Sequence, residues 1–374
     1  MGLNNYNMHC VRVIDPSKKI VIFLSAKEDI GRERKAYYYA LKKYFNVVCC
    51  IDKELHQVIA SMEPQGEIFL ILYPDPCEAI IPEDILNLSY PTACFQIDTY
   101  DGTKARLDQS MLFDHAFIFH PKYDKMLEGM GHPGVTLLPH AVETNLYPEF
   151  IKDREFDVGW VGRLDGPFYR IRKEQVEAFS KRYKTNDINK FYNQDELISV
   201  YTNSKIAVNI SRDDYMIDAN LRCFEIMASG ALLITKKPTE LDEIGLVAGK
   251  HFVTYKTTEE LLNKISYYLQ NENERKRIAF QGYQAVNKSH DFVNRVETIV
   301  EVVQRNNNRK LAPARNWRAT KKNEVFFEYY AHRRKLFKAL KYGIYLLKSR
   351  YSRFLYVFKN LGRIVFLNMK FYTK

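Results

Sequence analysis

The sequence predicts an α/β protein of two tandem doubly wound domains followed by a basic, helical tail. Three observations carry this. Short apolar runs alternate with longer amphipathic segments, a second set of such runs starts after residue 155, and the balance of charge changes sign near residue 305. With 374 residues, 46% hydrophobic and 27% charged, the chain is long enough to bury a sizeable core, which excludes disorder as its main state. Sixteen Gly and 13 Pro exclude collagen-like and low-complexity classes.

In the first domain the runs are residues 20–25 (IVIFLS), 47–51, 68–73, 92–97, 116–119 and 135–138. Each is near-continuously apolar and short, as strands buried on both faces of a parallel sheet must be. The spacing predicts a helix over 32–45, and six strands suffice for one domain over residues 1–150. A loop with Pro148 and the charged stretch 152–155 leads into a second domain, residues 151–304. There the runs 157–161 (DVGWV), 206–210, 231–235 and 251–255 recur, and apolar residues at three-and-four spacing predict helices over 258–269, 272–287 and 292–303. Two such Rossmann-like domains facing a cleft place ligand outside the carboxyl ends of their strands.

Residues 305–374 hold 19 Lys or Arg against two acids, Glu324 and Glu328, a charge of +17; the other 304 residues carry −6 of the formal +11. After a polar linker over 305–323, one helical stripe holds Leu336, Leu340, Ile344, Leu347, Tyr351, Phe354, Phe358, Leu361 and Val365. Lys338, Lys341, Lys348, Arg350, Lys359 and Arg363 occupy much of the rest. A basic amphipathic segment of this kind lies in a bilayer interface, so an anionic membrane surface is the expected partner. The alternatives are a stripe packed back on the body, and nucleic acid, for which the chain holds no other module. Cys10, Cys49, Cys50, Cys77, Cys94 and Cys223 form no CxxC pair and are expected as reduced core residues. No stretch offers ~18 uninterrupted apolar residues and the N-terminus lacks a signal-peptide core, so the expected location is the cytoplasm, peripheral on the inner face of a membrane.

Residues 220–235 (NLRCFEIMASGALLIT) carry the most chemistry: a short helix closed by Gly230, then a buried strand. The free N–H groups of the helix start can face a diphosphate, with Arg222 close enough to join them. The Glu225 carboxylate can accept two hydrogen bonds from a ribose diol; alternatively it is a solvated helix residue. No two histidines fall at the three or four spacing of a helical metal pair, and His9, His56, His132 and His332 are expected at the surface.

FEIMASGALLITK followed by GKHFVTYKTTEELLNKISYYLQNENERKRIAFQGYQAV resembles the donor-binding half of the group 1 type of GT-B glycosyltransferases. YPDPCEAIIP, PTACFQIDTYDG, FDHAFIFHPKY, VTLLPHAVETNLY and FDVGWVGRLDG resemble the spore-maturation-protein branch, and the likeness runs from about residue 68 to 303. It implies metal-independent transfer of a sugar, without a resident cofactor, from a UDP-, GDP- or dTDP-sugar to an acceptor hydroxyl. That acceptor would be a surface polysaccharide, lipopolysaccharide or other lipid-linked glycan. By matching position, Glu225 would hold the ribose, Gly162 would let the backbone approach the phosphates, and Arg163 and Arg222 would neutralise the leaving diphosphate. Asn220 would touch the donor sugar.

Two departures leave the stereochemistry open. Ile217 stands where many retaining relatives have a second Glu, with Asp214 and Asp218 nearby. Arg163 is followed by Leu-Asp-Gly-Pro rather than a Lys-Gly, and the next bases are Arg170 and Arg172. An inverting enzyme needs a base on the acceptor. Strand carboxyl ends supply candidates expected in the first domain: Asp98 first and His140 next as catalytic residues, with Asp101 and His120 behind them. The rival readings are a nucleotide-sugar epimerase of the same fold and a non-catalytic protein that docks on membrane or nucleic acid.

Overall fold

The computed structural model describes residues 15, 17–25, 31–75, 79–97, 99–100, 102–148, 153–213, 218–238, 240–306, 309–349 and 353–372. The chain forms two compact units, Met1–Leu138 with Thr298–Lys374, and Pro139–Glu297.

The first unit is built on a parallel sheet of β1 (Ile20–Leu24), β2 (Asn46–Cys50), β3 (Ile68–Asp75), β4 (Thr92–Gln96), β5 (His115–Ile118) and β6 (Val135–Leu137), in the order β2-β1-β3-β4-β5-β6. Strand β1, between β2 and β3, is wholly buried, which is why its sequence has no polar alternation. The crossovers carry α1 (Arg32–Lys42), α2 (Leu55–Met62), α3 (Thr103–Ser110) and α4 (Pro121–Gly129). Cys50, Cys94 and Cys223 are buried, and burial pushes the Cys50 thiol up to about 12; Cys10 and Cys77 lie outside the described residues.

His132 is buried, not at the surface as expected, because it organises the turn into β6. Its Nδ1 accepts from the Gly134 amide at 3.0 Å and its Nε2 meets the Phe113 carbonyl at 3.2 Å. Burial holds its pKa down at about 4. An unfolded chain protonates this ring first, so its contribution to stability is complete above pH 6.5 and is lost as pH falls towards 4, by roughly 3 kcal/mol. Melting temperatures at pH 7 and pH 5 are expected to differ less in His132→Gln than in the parent chain.

In the second unit β7 (Phe156–Gly159), β8 (Ser204–Asn209), β9 (Leu232–Thr235) and β10 (Val253–Thr254) form a parallel sheet in the order β10-β9-β8-β7. Successive strand residues feed opposite faces: Ile206, Val208, Leu232 and Ile234 join one apolar core, Ala207 and Leu233 the other. The helices are α5 (Arg170–Ser180), α6 (Gln194–Thr202), α7 (Leu221–Ala228), α8 (Thr258–Gln270), α9 (Glu272–Ser289) and α10 (Phe292–Arg305). Within α10 the chain returns to the first unit. The chain passes from the first unit to the second between Leu138 and Pro139, and Arg295 and Asp291 hold the segment that follows within the second unit. Arg295 donates to the Pro139 and His140 carbonyls at 2.9 and 3.0 Å, and Asp291 accepts from the Thr144 amide and hydroxyl at 2.9 and 2.7 Å.

Arg154 fixes α7 in place. Its guanidinium donates to the carbonyls of Tyr201, Thr202, Ser204 and Ser229, closing the carboxyl ends of both α6 and α7. Arg154→Met removes these donors, and the second unit is expected to lose about 2–3 kcal/mol, read as a lower melting temperature.

The region expected as a separate tail, residues 305–374, packs on the first unit through α11 (Ala319–His332), α12 (Leu336–Ser349) and α13 (Phe354–Tyr372). Its lead-in is not a free linker. The buried Asp114 carboxylate, which holds the Thr92 amide and hydroxyl at 3.1 and 3.0 Å, also accepts from the Ala312 amide at 3.1 Å. In α11 the Tyr329 hydroxyl lies 2.9 Å from that of Tyr73 in β3 and accepts from the Ile81 amide at 2.8 Å. The Tyr330 hydroxyl donates to the Ile81 carbonyl at 2.8 Å, and its ring stacks with Phe326. Helix α12 turns Ala339, Tyr342, Gly343 and Leu346 inward. The expected stripe of Leu336, Leu340, Ile344 and Leu347 is thus not the packed face: both sides of the helix are apolar, and the side with the small Ala339 and Gly343 packs closest. Among the described residues no helix is long and apolar enough to cross a membrane.

Candidate functional site

The carboxyl ends of β7, β8 and β9 converge on the start of α7. Asn220 caps that helix, its Oδ1 accepting from the Arg222 amide at 3.2 Å. Gly230, in the left-handed region at φ 71°, ends it, as the sequence indicates. Asn209, the last residue of β8, ties the elements together: its amide donates to Cys223 Sγ and Thr235 Oγ1, each at 3.2 Å, and its Oδ1 accepts from Arg222 Nε at 3.0 Å. Arg222 is therefore aimed by a buried amide.

Past β7, Asn186 brackets Trp160, accepting from its amide and donating to its carbonyl, both at 2.9 Å. Trp160 in turn dictates Gly162: a Cβ there would stand 2.9 Å from the indole and 3.4 Å from Arg222 Nη1. The glycine thus brings bare backbone up to the Arg222 guanidinium. Arg163 follows with an exposed side chain.

Arg172, in the first turn of α5, is a site residue that the sequence pattern does not single out. It is 4% exposed. One Nη donates to the Arg163 carbonyl at 3.1 Å, its guanidinium lies 4.5 Å from the Tyr169 ring centroid, and its Nε has no hydrogen-bond partner. Burial, and then the positive charge of Arg222, lower its pKa to about 10, so it stays a cation at neutral pH. Arg212, which stacks 4.7 Å from the Phe168 ring centroid, adds to the same field. The adjoining loops are pinned, with Asp213 accepting from the Ile171 amide at 3.0 Å and donating its own amide to the Phe168 carbonyl at 2.9 Å. A buried cation with an unused N–H, held beside the half-buried Arg222 and Arg212, forms a site that an anion stabilises.

Glu225 lies one turn after Arg222, a spacing that puts the two on one face of α7. At 1% exposure its carboxylate is enclosed, which differs from the outward-pointing group expected. The reason is that α7 is a central helix, with Cys223, Phe224, Ile226 and Met227 buried around it and the buried Asp218 and Glu240 close in sequence or at its approach.

Asp98 and Asp101 lie outside the described residues. His120 caps α4, its Nδ1 accepting from the Lys122 amide at 3.0 Å. His140 is half-buried and belongs to the second unit, not the first domain where it was expected. Among the described residues no group of three or more His, Cys, Asp or Glu is placed to hold a metal ion.

Residues 154–301 match a family model described as glycosyl transferase-like, which covers α7 and the whole arginine cluster. No curated protein matches the sequence. The chain is similar in structure to the glycosyltransferase from Rickettsia africae ESF-5, with TM-score 0.55 at 11% identity over 77% of this chain and 98% of that one. It is likewise similar to Anabaena Alr3699/HepE in complex with UDP, with TM-score 0.54 at 12% identity over 77% of this chain and 100% of that one. The chain spans 54% of the TarM chain, at 8% identity and TM-score 0.47. The fold is the α/β GT-B type.

Proposed function

We propose that the protein is a glycosyltransferase that moves a sugar from a nucleotide-diphosphate sugar to an acceptor hydroxyl, without a metal ion. The single observation that carries this is the buried Arg172 with its unused Nε, beside Arg222 and the bare backbone of Gly162, in a domain of glycosyltransferase type. In the transfer, the bond from the anomeric carbon to the diphosphate oxygen breaks and the acceptor oxygen bonds to that carbon. The acceptor's proton leaves to a base, for which Asp98 and His140 are our candidates. Negative charge grows on the departing diphosphate, and Arg172, Arg222 and Arg163 would neutralise it where water is scarce. Asn220 is assigned to the donor sugar. Glu225, on the same face of α7 as Arg222, is assigned the ribose diol.

The motifs between residues 73 and 166 favour the spore-maturation-like branch and a surface polysaccharide, lipopolysaccharide or lipid-linked glycan as acceptor, made in the cytoplasm. UDP, which Alr3699/HepE binds, is the natural first probe. The reaction is tested by incubating the chain with UDP-, GDP- and dTDP-sugars, with and without such acceptors. Release of nucleoside diphosphate only when acceptor is present is the expected result; isomerisation of the sugar with no release would make the protein an epimerase.

A further inference from the structure

The packed helices α12 and α13 each leave an apolar face in solvent. On α12 it holds Phe337, Leu340 and Ile344, and on α13 Leu355 and Phe358, spaced three or four apart. Phe337 is 85% and Leu355 82% exposed, although the same helices bury Tyr342, Leu346, Val357 and Ile364 on the first unit. Water beside so many large apolar side chains marks a contact surface.

The charge around this face says what covers it. Residues 333–374 contain 12 Lys or Arg and no acid. Some of these bases are spoken for: Lys341 pairs with Glu83, Lys338 lies 3.8 Å from Asp52, and Arg353 lies 2.9 Å from Glu324. Lys348, Lys359 and Arg363 are exposed and make no ion pair among the described residues. We infer that the outer faces of α12 and α13 dock on an anionic lipid surface, with Phe337, Leu340, Ile344, Leu355 and Phe358 entering the interface and Lys348, Lys359 and Arg363 on the headgroups. A second copy meeting the same face would bring like charge against like. A nucleic acid would satisfy the bases but leave the aliphatic Leu340, Ile344 and Leu355 in water. The inference stands on this surface alone and is independent of the donor-site reading.

The test is cosedimentation of the full chain with vesicles of phosphatidylcholine, alone or with about one-third phosphatidylglycerol. The parent chain is expected to pellet with the anionic vesicles at least tenfold more tightly than with the neutral ones, and to be released at about 0.5 M salt. F337S/L355S is expected to bind about a hundredfold more weakly, each buried Phe or Leu being worth about tenfold. K348E/K359E/R363E is expected to lose about fivefold or more per base. All five substituted side chains are solvent-facing, so neither variant touches the packed face. Equal binding to both vesicle types, or unchanged binding by F337S/L355S, overturns the inference. So does an oligonucleotide that competes the chain off anionic vesicles, or a lipid-free dimer that F337S/L355S dissolves.

Discussion

Deleting residues 306–374 is expected to abolish the cooperative thermal transition of the first unit, the largest stability effect the fold implies. The tail closes that unit rather than trailing from it. Its removal strips Tyr329 and Tyr330 from β3 and from both the amide and the carbonyl of Ile81, and uncovers the surface packed by Val325, Phe326, Phe327 and Tyr342. Each large apolar side chain contributes about 1.5–3 kcal/mol on burial, and a domain's whole stability is only about 5–15 kcal/mol. Tyr330→Ala alone is expected to cost about 3–5 kcal/mol. Deletion after Ser349 removes only α13, of which Val357 and Ile364 are buried, and is expected to leave the transition in place at lower temperature. Calorimetry of the three chains checks this order. A chain ending at residue 305 that melts like its parent would show the tail to be an independent appendage.

Arg172→Ala is expected to lower donor turnover by about 10²–10³-fold, the size found when one preorganised donor to a developing charge is removed. Because the interaction strengthens as the diphosphate departs, kcat and kcat/KM should fall together. Arg172→Lys keeps the charge but not the planar fork that spans the Arg163 carbonyl and leaves Nε for a ligand, so it should recover only part of the rate. The loss of one hydrogen bond to the Arg163 carbonyl costs about 1 kcal/mol of stability, which a melt separates from the loss of turnover. If Arg172→Ala retains parental turnover, the anion lies elsewhere.

Sequence pattern revealed the sheets because both are parallel and buried on two faces, so β1 reads as an unbroken apolar run and β4 and β9 as nearly so, with polar residues only at the strand ends. It also revealed α7 and its closing Gly230, since a left-handed residue after an apolar helix is a local requirement. What it hid was set by distant contacts. Arg172 is nine residues from the Arg163 carbonyl it holds, on a helix whose sequence RIRKEQVEAFS shows several bases with no sign of which one is buried. The inward face of α12 is decided by contacts that no pattern within the helix records: Tyr342 packs on Phe326 and Tyr330 of α11 and donates to the distant Glu83, and Gly343 lies against Phe327. An apolar stripe therefore could not tell the core side from the solvent side. His132 reads as a loop histidine until the Phe113 carbonyl is placed against it. The segment that follows Leu138 is held by Arg295, more than 150 residues away.

Calorimetric titration of UDP into the full chain and into Arg172→Ala and Arg222→Ala tests the donor site most directly. Saturable, salt-weakened binding by the parent, reduced about tenfold or more in each variant, is the predicted result. Parental affinity in both variants would contradict it, as would a parent chain that takes up no nucleoside diphosphate of any base.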